Sequence, residues 1–386
     1  MTDSIDDSVI DLAALASQVM LPDEDARAAA LARQATLTKP AGSLGRLEEL
    51  SVWLCGVQGV CPPRPIAQPR LVIFAGDHGV ATTAGTSAYP SAVTAQMVLN
   101  LLAGGAAANV LADAAGVGVR VVDMAVDVDW DELGVPVPAD LTRYKVRRSS
   151  GSLDREDALT TAEAQHGFDA GRAIADQEID AGADLLIAGD MGIGNTTPAA
   201  VLVALACHRN AADVVGRGTG IDDLTWMRKC AAIRDGLHRT TPHRGDPMAV
   251  LASCGGADFA AMTGFLLQAS IRGVPVILDG LISGACALVA NAISYRARNW
   301  WLAGHRSTEP AHALVLDKLG LDPVIDFQLR LGEGSGALVA LPILSAASAT
   351  LREMATFDDA GVSGPAQHSD SPPDEPSPGS ADPAAE

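Results

Sequence analysis

The chain has 386 residues, 48% of them hydrophobic, which is enough apolar material for one large core or for one large and one small core. Its formal net charge of −20 excludes nucleic acid as an expected partner, because duplex binding depends on phosphate neutralisation by Lys and Arg. The same charge disfavours an anionic membrane surface. The six cysteines show no CxxC spacing, which is typical of reduced thiols in a cytoplasmic protein.

The N-terminal 65 residues contain no strand-like run and predict helices joined by the segment TKPAGSLG. The opening MTDSIDDSVIDLAALA is acidic where a secretory signal is basic, so we expect no signal peptide. We expect residues 1–65 and 336–356 to form a small helical domain from both chain ends. A large domain should then cover residues 66–335.

Between residues 70 and 330, short apolar runs end in Gly with Asp or His, and a helical stretch follows. Runs of this length without alternation predict parallel strands that are covered on both faces. The sequence therefore predicts an α/β fold, with a large doubly wound domain around a mainly parallel sheet. The five runs are RLVIFAGDHGV (70–80), VGVRVVDMAVD (117–127), DLLIAGDMGIGN (184–195), VPVILDGL (274–281) and NWWLAGHRSTE (299–309).

Helices are predicted at 90–115 and 310–319, and buried helices at 281–293 and 336–351. The last two are shorter than the roughly 20 residues that a membrane-spanning helix needs. From residue 357 to 386 the chain has seven acidic residues, no Lys or Arg, and much Pro and Ser, so we predict a disordered acidic tail.

Polar residues stand at the ends of all five predicted strands, where doubly wound sheets bind their ligands. This pattern predicts a site that is assembled from several loops. The residues are Asp77 with His78, Asp123, Asp190, Asp279, and His305 with Arg306.

The segment GDMGIGNTT follows the third strand and opens a helix. It lacks the Gly-Lys-Ser/Thr of a P-loop and the third glycine of a dinucleotide fingerprint. Gly192 and Gly194 allow backbone amides to approach a ligand, and Asn195 and Thr196 supply donors at a helix start that suits a single phosphate. A tight turn that serves only geometry is the alternative.

Two further segments carry candidate chemistry. In LRLGEGSGA, Glu333 stands between two glycines that leave its carboxylate unshielded, so it could act as a general base, or it could be a solvated loop residue. Lys229 in GRGTGIDDLTWMRK could pair with a phosphate, although a Lys on a helix is more often just solvated.

Other classes of chemistry lack their signatures. Asp77-His78 has no second His at ligand spacing and no HExxH occurs, so we expect no metal. No GxSxG elbow supports a Ser-His-Asp hydrolase. The segment SAYPSAVTAQM sets Ser87, Tyr89 and Gln96 around a helix start and could hold a flat heteroaromatic ring, or could be a capped core helix.

Taken together, these segments resemble one family, the nicotinate-nucleotide:dimethylbenzimidazole phosphoribosyltransferases of cobalamin lower-ligand synthesis. TKPAGSLGRLE, FAGDHGV, SAYPSAVTAQMV, GDMGIGNTT, GRGTGI and LRLGEGSGA occur in the family's order, over about residues 30 to 350. The resemblance implies a homodimer without a cofactor, and transfer of the phosphoribosyl group of nicotinate mononucleotide to 5,6-dimethylbenzimidazole with inversion at C1.

The resemblance also implies site residues. Glu333 takes the place of the family's general base, and Asp190 stands where Glu is more usual, with a reach shorter by one methylene. The nicotinate-mononucleotide residues implied are Asp190, Met191, Gly192, Gly194, Asn195, Thr196, Gly218, Lys229 and Ser307. The benzimidazole residues implied are Ser87, Tyr89, Gln96 and Leu331.

Two other functions stay open from the residues. A nucleoside hydrolase or phosphorylase would use water or phosphate as acceptor at the same site, so base-dependent release of nicotinate separates it from a transferase. A non-catalytic binding protein is the other alternative, and loss of Glu333 or of the phosphate turn would be its signature.

Overall fold

A computed structural model describes residues 10–218 and 220–364, and its centre is a five-stranded parallel sheet in the order β2-β1-β3-β4-β5. Each apolar run predicted as a strand coincides with one strand of this sheet to within one residue at its start or lies around it, which confirms the α/β class. In the register, Phe74 pairs with both Val122 and Asp190. The strands are β1 Pro69–Gly76, β2 Gly118–Ala125, β3 Leu185–Met191, β4 Val276–Leu278 and β5 Trp301–Ala303.

Helices cover both faces of the sheet, which is why its strands are apolar throughout rather than alternating. The α-helices of the described residues are α1 Leu12–Gln18, α2 Glu24–Thr36, α3 Arg46–Gln58, α4 Gly79–Thr83, α5 Ala92–Leu102, α6 Ala107–Ala115, α7 Trp130–Leu133, α8 Ala139–Thr142, α9 Thr161–Asp180, α10 Thr196–Cys207, α11 Ala211–Val214, α12 Asp223–Thr240, α13 Pro247–Cys254, α14 Ala257–Ile271, α15 Leu281–Ile293, α16 Pro310–Leu319, α17 Ser335–Glu353 and α18 Phe357–Ala360. Two 3-10 turns, Thr241–His243 and Ala297–Trp300, complete the set.

The strand order places a topological switch point between β1 and β3. From β1 the chain moves outward to β2, whereas β3 is followed outward on the other side by β4 and β5. Loops that leave neighbouring strands in opposite directions open a crevice at the carboxyl edge of the sheet. The GDHG and GDMGIGNTT segments follow β1 and β3, so they meet at this crevice.

The helix predicted over 90–115 is wrong as a single element, because it divides into α5 and α6. Gly104 has a φ of +80°, in the left-handed region that ends a helix. Ala106 then starts α6 in an extended conformation, and its backbone amide donates to the Asn109 side chain. Two helices therefore take the place of the one long predicted helix: α5 packs against β1, β2 and β3, and α6 packs against α17 and β2.

Helices from both chain ends share a second, smaller core. Helix α17 packs against α2 and α3, and Ala30, Leu37, Cys55 and Leu351 are buried together there. An isolated bridge between Leu37 and Thr356 adds a backbone link between the two ends. The residues predicted to form a small domain therefore contact one another.

Two helical stretches, Ala92–Ala115 and Ser335–Glu353, are long and apolar enough to cross a membrane by length and composition alone. The first contains the break between α5 and α6. The second, α17, has 19 residues, three more than the predicted tract 336–351, and 56% of its most apolar window is buried within the protein. Core helices of water-exposed proteins pass the same test, so this is weak evidence for a membrane.

The tail predicted from residue 357 begins with the helix α18, whose N-cap Thr356 accepts a hydrogen bond from the Asp359 amide. The predicted start of the tail is therefore too early, and residues 365–386 lie outside the described residues.

Cutting the chain after Gly364 should leave both Tm and activity unchanged, because the removed sequence has little apolar surface to dock. A drop of several degrees in a thermal melt would contradict this expectation.

Candidate active site

A cavity of about 680 Å³ lies at the carboxyl edge of the sheet, over the switch point. Its walls come from β3 and the turn after it, from the segment before α5, from α12, and from the segments before α15, α16 and α17. Of the catalytic and substrate-binding residues that the family resemblance implies, all except Gln96 line it, whereas the strand-end residues Asp77, His78, Asp123, Asp279 and Arg306 do not. The implied residues that line the cavity are Ser87, Tyr89, Asp190, Met191, Gly192, Gly194, Asn195, Thr196, Gly218, Lys229, Ser307, Leu331 and Glu333.

The turn between β3 and α10 is built by close packing. A Cβ on Gly192 would lie 2.0 Å from the Gly76 carbonyl oxygen, so no side chain fits there. Gly194 has a φ of +94°, which favours glycine, and a Cβ on it would lie 2.7 Å from the Ala81 Cβ. Both glycines are therefore required by the fold itself, whether or not a ligand approaches them.

A buried hydrogen-bond relay fixes this turn to the neighbouring strand. The Ile193 amide donates to the Thr94 hydroxyl (3.0 Å), and that hydroxyl donates to Asp77 Oδ1 (2.6 Å). The other Asp77 oxygen accepts from the Asp127 amide at 2.8 Å. Asp77 thus orders the loops, and it does not line the cavity.

His78 and Asp123, two other strand-end residues, also stay outside the cavity. His78 Nε2 lies 3.1 Å from Asp258 Oδ2, and the imidazole packs edge-on against Phe259. Asp123 accepts hydrogen bonds from Val126, Trp130 and Lys145. Across residues 10–218 and 220–364, no group of three His, Cys, Asp or Glu side chains is placed to hold a metal ion.

Lys229 brings a positive charge to one end of the cavity. It is only 1% exposed, and its ammonium donates to Thr196 Oγ1 (2.7 Å) and to the Gly216 carbonyl (3.2 Å). Burial lowers the pKa of Lys229 to about 8, against the opposing effect of the Glu309 carboxylate. A Lys enclosed in this way is not the solvated helix residue of the alternative interpretation.

Ser307 and Glu309 close the same end of the cavity. Glu309 Oε1 accepts from the Gly218 amide at 2.9 Å, and the Glu309 amide donates to the Ser307 hydroxyl at 3.3 Å. The Ser307 amide donates to His312 Nδ1 (2.9 Å), and burial lowers the pKa of His312 to about 3, which keeps this imidazole a neutral acceptor. These bonds tie two distant loops together beside Lys229.

Asp190 and Glu333 face the other part of the cavity as two neighbouring carboxyl groups. Asp190 accepts a hydrogen bond from the Asn195 side chain at 2.8 Å. Burial, and then the charges of Asp279 and Glu333, raise the pKa of Asp190 well above its usual value. The shorter Asp thus still reaches the cavity wall, beside Gly332.

Glu333 is buried, and its Oε2 has no hydrogen-bond partner among the described residues. Burial raises the pKa of Glu333, the nearby Asp279 charge adds to the rise, and a hydrogen bond from the Ala108 amide opposes it. Its φ is +62°, between Gly332 at +88° and Gly334 at +81°. A non-glycine residue in this conformation is held there by its surroundings and is often functional.

The apolar wall of the cavity comes from the segment before α5 and from α5 itself. Tyr89 and Leu331 are exposed at its rim, and Val93 and Met97 face inward from consecutive turns of the helix. Gln96 is exposed and does not line this cavity, so its contact with the benzimidazole ring stays a prediction. Val93 and Met97 are four residues apart and therefore lie on one face of the helix.

Several cavity residues were missed by sequence reasoning. Glu309, Gln328 and Arg330 line the cavity, although sequence reasoning assigned none of them a role, even where Glu309 ends the run NWWLAGHRSTE and Arg330 lies in LRLGEGSGA. His305 was noted only as a strand-end residue, although it is buried and lines the cavity. The Arg330 guanidinium donates to the Gly218 carbonyl at 2.7 Å, a link across 112 residues that no local pattern signals.

This geometry agrees with comparisons to known proteins. The sequence pattern of the family described as Phosphoribosyltransferase matches residues 19–362. The nicotinate-nucleotide–dimethylbenzimidazole phosphoribosyltransferase of Mycobacterium marinum is 58% identical over 345 residues, which is 89% of this chain and 94% of the relative. The enzyme of the same name from Mycobacterium tuberculosis is 57% identical, with the same coverage.

This chain belongs to the nicotinate-nucleotide:dimethylbenzimidazole phosphoribosyltransferase family. The crystal structure of CobT from Thermus thermophilus is 43% identical, with a TM-score of 0.83 over 88% of this chain and 99% of that chain. A second Thermus thermophilus structure, of nicotinate-nucleotide-dimethylbenzimidazole phosphoribosyltransferase, gives 42% identity and the same TM-score over 89% and 100%. The chain is thus an enzyme with the fold and activity class of this family.

The pKa of Lys229 predicts a pH dependence of mononucleotide binding. Because the pKa of Lys229 is lowered to about 8, the free enzyme loses this positive charge as the pH rises through about 8. The Kd for nicotinate mononucleotide should stay flat below about pH 7 and rise above pH 8, by at most roughly tenfold per pH unit for one proton. Calorimetric titration between pH 6.5 and 9 measures this change.

The nucleoside without its 5′-phosphate is the matched control for that titration. Its affinity should not change over the same range, because it lacks the phosphate that we predict to contact Lys229. Equal pH dependence for the nucleotide and the nucleoside would contradict a phosphate contact with Lys229.

Proposed function

We propose that this enzyme transfers the phosphoribosyl group of nicotinate mononucleotide to 5,6-dimethylbenzimidazole, giving α-ribazole 5′-phosphate and nicotinate for cobalamin synthesis. The names of the relatives support this substrate pair. The observation that carries the mechanism is the buried Glu333 carboxylate, which lines the cavity with one oxygen unpartnered among the described residues. No metal or cofactor enters the proposed chemistry, since the leaving group is already activated as a pyridinium.

The chemistry follows from the charges of the two reactants. The bond between C1 of ribose and the pyridinium nitrogen breaks, and its electron pair leaves with nicotinate. One nitrogen of the benzimidazole forms the new bond to C1 from the opposite face, which inverts the configuration there. The proton on its other nitrogen passes to Glu333, and a raised pKa makes this carboxylate a better acceptor.

The cavity supports a division of roles between its two ends. Lys229, Thr196, Gly218 and Ser307 would hold the 5′-phosphate, because the only buried ammonium among the described cavity residues lies there. Asp190 would face the ribose rather than the phosphate, since two anions side by side would repel each other. The apolar wall of Val93 and Met97 would hold the flat benzimidazole ring. Holding both reactants in this way supplies much of the rate enhancement.

Incubation of the purified enzyme with nicotinate mononucleotide and a panel of bases tests the proposal. Release of nicotinate should require a benzimidazole and should yield one α-ribotide per nicotinate. Release at the same rate without a base would indicate a hydrolase instead, and release that requires inorganic phosphate would indicate a phosphorylase. Binding of the nucleotide without any release would indicate a binding protein.

We also propose that the enzyme is a homodimer in the cytoplasm and acts without nucleic acid or a membrane. Apolar side chains are exposed on α5 and α6, including Leu102 and Val110. An exposed apolar face of this kind is typical of a protein–protein interface. Light scattering after gel filtration should give a mass twice that of the chain, whereas a monomer at micromolar concentration would contradict the dimer.

A further inference from the structure

The carboxylate of Asp279 lies behind the active site and holds the loop that carries Glu333. Asp279 follows β4, is completely buried, and does not line the cavity. Its Oδ1 accepts from the Gly336 amide (2.7 Å) and from the Ala337 amide (3.1 Å). Its Oδ2 accepts from the Gly334 amide at 3.2 Å. One side chain thus binds three amides in the four residues after Glu333.

These amides belong to the start of α17, which has no side-chain cap of its own. Helix α17 begins at Ser335, and its N-cap residue is Gly334. The first amides of a helix have no partner within the helix, and a carboxylate near them is favoured by the helix dipole. Asp279 supplies this cap from the segment after β4, 57 residues away from Gly336 in the chain.

The loop is confined on its other side by strand β3. A Cβ on Gly189 would lie 2.8 Å from the Glu333 carbonyl carbon and 3.1 Å from the Gly334 nitrogen. The Glu333 backbone therefore packs against Gly189, which has no side chain, on one side. On the other side, the amides that follow Glu333 donate hydrogen bonds to Asp279. This confinement explains how Glu333 keeps a left-handed φ of +62°.

We propose that Asp279 is a positioning residue of the transfer reaction, which fixes the Glu333 carboxylate where it can take the proton of the incoming base. The inference rests on the proposed role of Glu333 and extends it to a residue that touches neither substrate. Proton transfer needs donor and acceptor within hydrogen-bonding distance, so a small displacement of the loop suppresses it.

Three ionisable groups surround this arrangement. His305 Nε2 lies 3.5 Å from Asp279 Oδ1, and Asp190 and Glu333 lie on the cavity side. The negative charge of Asp279 contributes to the raised pKa of Glu333. Replacing Asp279 by a neutral residue should therefore move the acid limb of the pH–rate profile to lower pH, because Glu333 then deprotonates more easily.

A double-mutant cycle with Asp279→Asn and Glu333→Gln tests the proposal. Asn keeps the size of the side chain and one accepting oxygen, but its NH2 group takes the place of the other oxygen and cannot accept from the backbone N–H that it faces. We expect kcat to fall by roughly ten- to a hundredfold in Asp279→Asn, with the Kd for nicotinate mononucleotide changed by less than about threefold. In the Glu333→Gln background the same substitution should change the residual kcat by less than about threefold.

The outcomes distinguish the positioning role of Asp279 from the general-base role of Glu333. Equal losses from Asp279→Asn in both backgrounds would overturn the positioning role, since Asp279 would then act independently of Glu333. An unchanged kcat and pH profile in Asp279→Asn would overturn it as well. Normal turnover in Glu333→Gln alone would instead overturn the general base, whatever Asp279→Asn does.

Two further variants keep the proposal testable if Asp279→Asn does not fold. Gly189→Ala displaces the Glu333 backbone from the opposite side, and its loss of kcat should likewise vanish in the Glu333→Gln background. Asp123→Asn is the matched control, because Asp123 is also a buried strand-end carboxylate with hydrogen bonds from Val126, Trp130 and Lys145. It should lower Tm without shifting the pH profile of kcat. Full activity in Gly189→Ala would overturn the proposal even if Asp279→Asn does not fold.

Discussion

Replacing Glu333 with Gln should lower kcat by roughly 10²–10⁴-fold, the contribution of a general base in the transition state. Gln keeps the length of the side chain and can still accept a hydrogen bond from the Ala108 amide, but it cannot take a proton from the benzimidazole. Nicotinate mononucleotide should bind with a Kd within about threefold of wild type, because the expected phosphate contacts lie at the other end of the cavity. Rapid-quench kinetics and calorimetry measure the two quantities.

Glu178→Gln is the control for this substitution. Glu178 is also buried, but it pairs with Arg70 and Arg120 and lies outside the cavity. Its variant should keep kcat within about threefold at a temperature where the protein is folded. Near-normal turnover of Glu333→Gln with either of two bases would remove Glu333 from the mechanism.

Replacing Lys229 with Ala should weaken nicotinate mononucleotide binding by roughly ten- to a hundredfold, since a charge-assisted hydrogen bond contributes about 1.5–3 kcal/mol. The affinity for 5,6-dimethylbenzimidazole should change by less than about threefold, because the two ligands occupy separate parts of the cavity. Fluorescence or calorimetric titration of each ligand gives the comparison.

A second substitution separates charge from volume at this position. Lys229→Met retains most of the volume of the buried side chain. It should therefore weaken nucleotide binding as much as Lys229→Ala does, but lower Tm by less. Lys145→Met removes another Lys, paired with Asp123 outside the cavity, and should leave nucleotide affinity unchanged. If both Lys229 variants bind the nucleotide normally, the phosphate lies elsewhere, with Arg330 as the next cationic residue of the cavity wall.

A crystal soaked with nicotinate mononucleotide would locate the phosphate directly. The amides of Ile193, Asn195 and Thr197 already donate to partners within the protein, so any donors from the turn must be other amides. We expect the phosphate within hydrogen-bonding distance of Lys229 and of the Gly192 or Gly194 amides. Density at hydrogen-bonding distance only from Ser307 would mean that the turn is structural.

The sequence by itself determined the five strands of this protein and the turn after the third. The unbroken run Leu71–Ala75 could only be a strand covered on both faces, and the same pattern located the other four strands. Gly194 and the residues after it identified a turn that opens a helix, because glycine requirements and capping are local. The family motifs then singled out Glu333 and Lys229, which residue type alone left undecided between functional and solvated roles.

Only the tertiary structure decided what surrounds those residues. Asp279 reaches the amides of a helix 57 residues away, and Glu309 reaches the Gly218 amide across 91 residues. Such contacts depend on how the crossovers pack the loops at one edge of the sheet, and hydrophobic periodicity reports only which face of an element is buried. For the same reason the side of α5 that faces the cavity, with Val93 and Met97 rather than Gln96, followed from packing. The enclosure of Lys229 and the raised pKa of Glu333 arise from burial, which is a property of the folded chain and not of any segment within it.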